Sequence, residues 1–318
     1  MQPCDMTQYD VAIIGGGAAG LSAALVLSRA RRSLIVVDAG APRNAPASHM
    51  HGYLSRDGLP PSELLALGRC EVKGYGGEII ASTATELVPD GRGCFRVVLA
   101  DGQRISARRL LLTTGLRDEL PDVPGLRDRW ARDVLHCPYC HGHEVRDRRL
   151  GVLGNGAGTV RYAQIVRQWT DDLVYFTPSH ILTPDERIQL VSRAIDVVEG
   201  TVAQLVIHDD HLRGVQMQDG CVVPCDALFV PPHFVPNNHL VAGLGCDVDA
   251  DGWVTVDGTG RTSAQGVWAA GNLVDPRAQV ITAAGAGSAA AIGINADLVE
   301  EDVRNAVRDA TSVCLPSP

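Results

Sequence analysis

Residues 10–38 read DVAIIGGGAAGLSAALVLSRARRSLIVVD. A short apolar run leads into a glycine turn in which Gly15, Gly17 and Gly20 have the spacing Gly-x-Gly-x-x-Gly. An Ala- and Leu-rich segment follows, and a second apolar run ends at Asp38. This order predicts a strand, a tight turn, a helix and a second strand, and so an α/β domain.

The residues of this turn suit a dinucleotide. Gly15 permits the tight turn, Gly17 lets the backbone approach a pyrophosphate, and Gly20 allows the helix to pack closely on the strand. The helix N-terminus adds the positive end of its dipole. Asp38 is placed to accept hydrogen bonds from a ribose. A purely structural glycine turn is the alternative, but strand, helix and acid all stand where a dinucleotide site needs them.

Length and composition indicate a globular protein of two domains. The chain has 318 residues and a mass of 33.7 kDa, and a domain commonly contains about 150 residues. Hydrophobic residues make up 45% and charged residues 20%, which excludes disorder as the default state. The net charge of −9 and the pI of about 5.5 argue against nucleic-acid and anionic-membrane partners.

The first 28 residues indicate where in the cell the protein is expected. The opening MQPCDMTQYD lacks a basic segment followed by an apolar core, so we predict no secretory signal and a cytoplasmic protein. Residues 11–28 are uncharged and about long enough to span a membrane. The glycines inside that stretch argue against a membrane helix, and we expect no membrane partner.

Nine cysteines are present, and only two pairs lie close in sequence: Cys137 with Cys140, and Cys221 with Cys225. The first pair lies in the sequence LHCPYCHGHE. A Cys-x-x-Cys pair at a helix start brings two sulfurs within reach of a disulfide, and the helix dipole favours the thiolate. Pro138 suits the first helical turn. We therefore predict that Cys137 and Cys140 are a catalytic redox pair.

Two other chemistries fit the same segment. Cys-x-x-Cys-His is also the attachment pattern of c-type haem. Zinc is the second alternative, because thiolates and imidazoles are its usual ligands. The candidate zinc ligands are His136, Cys137, Cys140, His141 and His143, with Cys221 and Cys225 as the one further pair. The spacing of that further pair is uninformative and its surroundings, CVVPCDALFV, are rich in strand-forming residues, so we predict that the chain binds no metal.

A histidine directly follows the second cysteine. Thiol–disulfide exchange needs a base for the attacking thiol and an acid for the leaving one. Histidine titrates near neutrality, so His141 is predicted to be this catalytic base. A solvated loop position is the alternative for His141 and for His143. Glu144 is predicted either to orient one imidazole or to cap the next turn.

A second glycine turn, in RLGVLGNGAGTVRYAQIVRQWTDDLVYFTP, predicts a second unit of strand, turn, helix and strand. Gly154 and Gly156 are present, but Thr159 occupies the third glycine position. No acid follows the second strand to bind a ribose, and no basic pair follows to bind a 2′-phosphate. Only His180 stands there. We therefore predict that this unit is scaffold and does not use NADPH.

Proline and glycine clusters mark the domain boundaries. Pro121, Pro124 and Gly125 mark the way out of the first domain, and residues 231–238 mark the return. The prediction is a discontinuous dinucleotide domain, residues 1–117 and 245–318, with an inserted domain at 118–244 that carries the Cys-x-x-Cys pair.

Two further segments connect the glycine turn to a family. RLLLTTG ends at Gly115, and GVWAAGN ends at Asn272. With the first glycine turn they resemble the thioredoxin-reductase-like flavoproteins, over nearly the whole length of the chain. The resemblance implies FAD as cofactor and an α/β fold of two Rossmann-like, three-layer ββα domains.

The same resemblance implies positions for the FAD contacts. Contacts with the ADP half of FAD are implied for Gly15, Gly17, Ala18, Ala19, Gly20, Asp38 and Ala39. Thr114 and Gly115 are implied to lie near the flavin linkage, and Gln279 and Val280 to meet the flavin ring. The late Gly-Asp pair of the family is Gly271 and Asn272 here, and an Asn side chain can still hydrogen-bond a ribitol hydroxyl. Further contacts are implied for Arg43, Asn44 and His51.

The segment CPYCHGHE, the weakened second turn, Arg43-Asn44 and the run HMHG around His51 together resemble the gliotoxin- and holomycin-type dithiol oxidases. That resemblance implies an enzyme that closes a small natural-product dithiol into a disulfide and passes the electrons through FAD to O2, giving H2O2. Cys140 is by resemblance the sulfur next to the flavin. A homodimer is also implied.

Two alternatives remain for the activity. An NADPH-dependent reductase of thioredoxin or of a small disulfide would use the same cysteine pair, with NADPH held by contacts that the sequence does not reveal. A non-catalytic redox sensor that binds FAD or zinc is the other. The substrate itself is not specified by the sequence.

Overall fold

The computed structural model describes residues 8–91, 93–156, 158–177 and 181–314, with side chains described up to Thr311. Cys4 and His180 lie outside these residues. The chain forms two compact units. Unit 1 comprises Met1–Ala45, Pro61–Arg117 and Val235–Pro318, and unit 2 comprises Pro46–Pro60 and Asp118–Phe234.

The unit boundaries differ from the predicted ones in two places. Residues 46–60 belong to unit 2, where the ring of His51 lies 3.5 Å from the Glu144 carboxylate. Unit 1 resumes at Val235 and not at residue 245. The reason is apolar packing, because Leu240 and Val241 are buried in the hydrophobic core of unit 1. The predicted linker is thus partly core.

The elements are numbered along the chain. The strands are β1 (Gln8–Ile14), β2 (Leu34–Asp38), β3 (Glu78–Ala81), β4 (Ala84–Pro89), β5 (Phe95–Leu99), β6 (Arg104–Leu112), β7 (Leu116–Glu119), β8 (Val134–Leu135), β9 (Leu150–Leu153), β10 (Leu173–Thr177), β11 (Ile195–Glu199), β12 (Val202–His208), β13 (His211–Met217), β14 (Val222–Pro224), β15 (Ala227–Phe229), β16 (His233–Pro236) and β17 (Val267–Ala269). The helices are α1 (Ala18–Arg29), α2 (Pro61–Gly74), α3 (Pro138–His141), α4 (Thr159–Val166), α5 (Pro184–Ser192) and α6 (Val280–Cys314).

Unit 1 is built on a seven-stranded sheet in the order β3-β2-β1-β6-β5-β4, with β17 also paired to β6. β1 is parallel to β2 and β6, and β17 is parallel to β6, whereas β4 and β5 are antiparallel additions. Residues 11–14 of β1 are apolar and buried, as the core part of a central parallel strand covered on both faces should be. This α/β arrangement confirms the predicted fold class for unit 1.

Unit 2 contains a five-stranded parallel sheet in the order β11-β10-β9-β15-β8 and a separate antiparallel sheet of β12, β13 and β14. β9, a turn, α4 and β10 repeat the strand–turn–helix–strand order of unit 1. The helix α5 starts at a capping box of Thr183 and Glu186. Because its parallel sheet is built from alternating strands and helices, unit 2 is also of the α/β class.

The glycines of α1 and α6 allow these two helices of unit 1 to pack very closely. A Cβ atom on Gly287 would lie 2.0 Å from the carbonyl oxygen of Ala19, so α6 has no room for a side chain there. The uncharged stretch 11–28 is divided between β1, the glycine turn and α1. None of the helices in the described part of the chain has the length and apolarity needed to span a membrane.

The close packing of α1 and α6 can be tested with two alanine substitutions on one helix. Gly287→Ala should lower the free energy of unfolding by about 1–3 kcal/mol, because the added methyl group overpacks a tight contact. Gly285→Ala is the matched control, since a Cβ there meets no other atom and alanine favours helix. Thermal unfolding followed by circular dichroism measures both, and equal stability of the two variants would contradict the packing described.

Candidate functional site

A cavity of about 340 Å³ lies in unit 1 at the carboxyl ends of β1, β2 and β6. Such edges are the usual place for ligands in parallel sheets. Most of the residues predicted to contact FAD line this cavity. They are Gly15, Gly17, Ala18, Asp38, Ala39, Arg43, Asn44, Thr114, Gly115 and Val280.

The first glycine turn has the geometry that its sequence predicts. Gly15 has φ +112°, and a Cβ atom on it would lie 2.4 Å from the carbonyl oxygen of Thr113. A Cβ on Gly20 would lie 1.9 Å from the carbonyl oxygen of Gly15. A Cβ on Gly17 would meet no atom, because this residue borders the cavity and caps α1. The open space at the helix N-terminus fits a pyrophosphate.

Asp38 is held in place at the end of β2. Its Oδ1 accepts a hydrogen bond from the Gly40 backbone N–H at 3.0 Å, and its Oδ2 accepts one from Arg69 Nη2 at 3.0 Å. Arg69 lies on α2 and also lines the cavity. We did not predict Arg69 from the sequence. The only sequence signal for it is its helical spacing of four residues from Leu65, which lines the same cavity.

The opposite wall joins distant parts of unit 1. Thr114 Oγ1 donates to the Asn237 carbonyl at 2.8 Å, and Asn237 Nδ2 donates to the Thr114 carbonyl at 2.9 Å. Thr113 Oγ1 donates to the carbonyl of Gly15 at 2.8 Å. Asn237 was predicted only as part of a linker, yet it lines the cavity. These bonds fix the ends of β6 and β16 beside the first glycine turn.

The remaining residues predicted to contact the cofactor do not line the cavity. Gly271 is buried with φ +74°. Asn272 Nδ2 donates to the carbonyls of Asp275 and Ala278, so this side chain closes the loop before α6. His51 belongs to unit 2, and its role toward the cofactor stays a prediction. Ala19, Gly20, Gly271, Asn272 and Gln279 do not border the cavity.

Unit 2 carries a disulfide between Cys137 and Cys140, with their Cα atoms 5.2 Å apart. Cys137 is the N-cap of α3, and Pro138 occupies its first turn. The backbone N–H groups of Cys140 and His141 both lie 3.1 Å from the Cys137 carbonyl oxygen, to which they donate. The local sequence therefore folds into one short turn that holds the two sulfurs together.

Histidines and carboxylates surround this turn. Burial lowers the pKa of His141, with Glu144 acting in the raising direction and His51 in the lowering one. His141 is therefore a neutral imidazole at neutral pH, which is the form that accepts a proton. His51 Nδ1 lies 3.2 Å from Asp57 Oδ2, and His51 Nε2 lies 3.5 Å from Glu144 Oε1.

Aromatic rings border the same turn. Tyr139, between the two cysteines, is 65% exposed, and its ring meets that of Trp169 edge to face with centroids 5.5 Å apart. A Cβ on Gly142 would lie 2.8 Å from the Trp169 ring, so this ring covers the end of the turn. His136 stacks on Trp130 with centroids 6.2 Å apart. We did not predict these aromatic contacts from the sequence.

In the second glycine turn, the side chain at the third glycine position forms hydrogen bonds within the unit. Thr159 Oγ1 donates to the Gly156 carbonyl at 2.6 Å and lies 2.8 Å from Tyr175 Oη. A Cβ on Gly154 would lie 2.4 Å from the same Tyr175 Oη. Asn155 Nδ2 donates to the Pro231 carbonyl. His180, the one residue after β10 that the sequence offers to a 2′-phosphate, lies outside the described residues.

The zinc alternative finds no ligand cluster. In residues 8–91, 93–156, 158–177 and 181–314, no group of three or more His, Cys, Asp or Glu side chains is placed to hold a metal ion. Cys225 packs into the core of unit 2, and burial raises its pKa to about 12. Cys137 and Cys140 are bonded to each other.

A dinucleotide cavity in one α/β unit and a histidine-flanked disulfide in another define the class of the protein, a disulfide oxidoreductase. Residues 9–288 match the family described as pyridine nucleotide-disulphide oxidoreductase, and the chain belongs to that family. It is a thioredoxin-reductase-like member. The family implies FAD, and the open space beside Gly17 and the carboxylate of Asp38 fit the ADP half of that cofactor.

Individual relatives agree with this assignment. The chain is 30% identical to thioredoxin reductase sirT of Leptosphaeria maculans over 93% of this chain and 96% of that protein. The crystal structure of HlmI is 52% identical and superimposes with a TM-score of 0.94, over 97% of this chain and 98% of that one. An oxidoreductase from Agrobacterium tumefaciens is 33% identical, with a TM-score of 0.87 over 92% and 99% of the two chains.

The cavity assignment predicts how one methyl group affects FAD binding. Gly17→Ala should fold normally, because its Cβ meets no protein atom, and should bind FAD at least about tenfold more weakly, because that Cβ occupies the pyrophosphate space. Gly156→Ala, at the same position of the second glycine turn, is the matched control and should bind FAD normally. Flavin fluorescence titration of the apoprotein measures this, and unchanged affinity of Gly17→Ala would contradict the assignment.

The redox pair gives a second prediction. Cys140→Ser should keep FAD bound and yellow but should not be reduced by dithiols, because the disulfide that accepts their electrons is gone. Cys221→Ser, at an exposed and unbonded cysteine, is the control and should be reduced as the parent is. Anaerobic absorbance spectra with excess dithiothreitol measure both. Normal flavin reduction in Cys140→Ser would refute the role of the pair.

Proposed function

We propose that the protein is an FAD-dependent dithiol oxidase that forms an intramolecular disulfide in a small dithiol and delivers the electrons to O2 as H2O2. The observation that carries this proposal is the Cys137–Cys140 disulfide directly before the half-buried His141, whose pKa is lowered, in a unit whose own glycine turn offers little to NADPH. The resemblance of the sequence to gliotoxin- and holomycin-type dithiol oxidases supports the same activity.

Electron entry through NADPH is disfavoured by the second glycine turn. The residues that end and follow β10 are Thr177-Pro178-Ser179-His180, which supply neither an acid for a ribose nor an Arg or Lys for a 2′-phosphate. Thr159 stands at the third glycine position, and its hydroxyl bonds to Gly156 and Tyr175. NADPH is therefore proposed not to be used.

Thiol–disulfide exchange then loads the enzyme with electrons. One substrate thiol gives its proton to the unprotonated ring nitrogen of His141, and the thiolate attacks Cys137 Sγ. The enzyme S–S bond breaks, and Cys140 Sγ leaves as a thiolate. The second substrate thiol loses its proton and attacks the substrate sulfur of the mixed disulfide, which releases the cyclic disulfide and the Cys137 thiolate. Two electrons have passed to the cysteine pair.

FAD, bound in the cavity of unit 1, supplies the two-electron chemistry that connects the cysteine pair with O2. The residues of the chain would bind and orient it: the backbone of the first glycine turn would hold the pyrophosphate, and Asp38 would hold the ribose. Arg69 keeps the Asp38 carboxylate in position for that bond.

The surroundings of the disulfide suit a small and largely apolar dithiol. Tyr139 and Trp169 present aromatic surface next to the cysteines, and aromatic rings bind apolar and planar groups well.

The proposed partners are this dithiol, O2 and a second copy of the chain, in the cytoplasm, without nucleic acid or membrane. Apolar side chains that are exposed on one side of α6 supply surface for the second copy; they include Ile292, Val299 and Val303.

A second candidate is an NADPH-dependent disulfide reductase. The observation in its favour is that sirT, similar over 93% of this chain, is named a thioredoxin reductase. Such an enzyme would run the same cysteine pair in the opposite direction, from FAD to a disulfide substrate.

Oxygen consumption separates the two activities. With a small dithiol and no NADPH, the protein should consume oxygen continuously, and catalase should return half of the oxygen because the product is H2O2. Cys140→Ser should consume oxygen at least about a hundredfold more slowly. An oxygen electrode measures these rates. Oxygen uptake that starts only when NADPH is added would contradict the proposed oxidase.

A further inference from the structure

We propose that His51 and Glu144 form a proton relay that carries thiol protons from His141 toward Asp57 and solvent. The inference rests on the proposed function, because it concerns the protons that dithiol oxidation releases at the same site. His51, Asp57, His141 and Glu144 all belong to unit 2. The two groups are relay residues, which act through His141 and need not touch the substrate.

The geometry places a carboxylate at each nitrogen of the His51 ring. Nδ1 lies 3.2 Å from Asp57 Oδ2, and Nε2 lies 3.5 Å from Glu144 Oε1. An imidazole that receives a proton on one nitrogen and releases one from the other transfers charge across its ring. The exposed fraction of the side chain rises from 24% at His51 to 43% at Glu144 and 67% at Asp57. Both carboxylates can therefore exchange protons with water.

The relay groups also act on one another electrostatically. Glu144 follows His141 by three residues, and its Oε1 lies 3.5 Å from His51 Nε2; Glu144 and His51 both act on the pKa of His141. Hydrogen bonds from the Gly52 backbone and from His51 lower the pKa of Asp57, and His143 acts in the same direction. The charged and titratable groups around His51 are thus Asp57, His141, His143 and Glu144.

The loop of residues 50–59 holds His51 in this arrangement. The backbone N–H of Met50 donates to the Leu59 carbonyl at 3.0 Å, and the N–H of Gly58 donates to the Met50 carbonyl at 2.9 Å. Met50 is buried. Asp57 Oδ1 accepts a hydrogen bond from the Gly52 N–H at 2.8 Å. His51 is therefore fixed on both sides in sequence, which a relay requires and a solvated loop histidine does not.

The stoichiometry of the reaction explains why a relay is useful. Each dithiol releases two protons and gives two electrons to the Cys137–Cys140 bond, which becomes a pair of thiolates. His141 is buried and accepts one proton at a time. It has to lose the first proton before it can accept the second. Transfer from His141 to Glu144 or His51, and from there to water, resets the base between the two exchange steps.

The test measures reduction of the cysteine pair by the dithiol, independently of oxygen. Wild-type holoenzyme, His51→Gln and Glu144→Gln are mixed anaerobically with dithiothreitol, quenched with a thiol-alkylating reagent and weighed by mass spectrometry. At each pH between 6 and 8, both variants should be reduced about tenfold more slowly than the wild type. Added imidazole should restore the reduction rate of His51→Gln. Glu144→Asp, which keeps the carboxylate, should retain most of the rate.

His208→Gln is the matched control, because His208 is an exposed histidine of unit 2 that also pairs with a neighbouring carboxylate, Asp209. It should react as the wild type does. Wild-type rates in both relay variants would overturn the relay, as would a loss that neither imidazole nor Glu144→Asp restores, because such a loss reports a structural role. A wild-type disulfide that dithiothreitol fails to reduce at any pH would instead refute the proposed function.

Discussion

The close approach of the first glycine turn to the end of β6 is the contact on which unit 1 depends. A side chain on Gly15 would collide with the Thr113 carbonyl, and one on Gly20 would collide with the Gly15 carbonyl. The same tight packing continues where Gly287 of α6 lies against Ala19 of α1. Because the backbones meet without side chains between them, the N-terminus of α1 opens directly onto the cavity. The cofactor site is thus a consequence of helix and strand packing.

Local sequence was enough to predict the parts of the site that local backbone forms. The first glycine turn, the position of Asp38 at the end of β2, and the Cys137–Cys140 turn each lie within a short stretch whose residue types limit the backbone. The two α/β units also follow from the repeated order of apolar strand, glycine turn and helix. Composition and charge only argued against disorder and against nucleic-acid and membrane partners.

Contacts between distant residues could not be predicted in this way. Arg69 reaches Asp38 from α2, and Asn237 bonds to Thr114, which lies 123 residues earlier in the chain. The contact between the His51 ring and Glu144 in unit 2 was also not predicted. A polar residue in a loop has many partners of similar energy, and only the folded backbone selects one. Residues 231–238 were predicted to mark the return to the first domain, but the domain was predicted to resume only at residue 245, because a proline- and asparagine-rich segment precedes the buried Leu240 and Val241.

The two units divide the chemistry of the molecule. Unit 1 contains the cavity that fits FAD, and unit 2 contains the disulfide, His141 and the acidic groups around His51. The central claim is that electrons enter through Cys137–Cys140 and not through NADPH. Anaerobic stopped-flow absorbance of the flavin tests it most directly. A small dithiol should bleach the flavin band, whereas NADPH should leave it unchanged over the same period; rapid bleaching by NADPH would contradict the account.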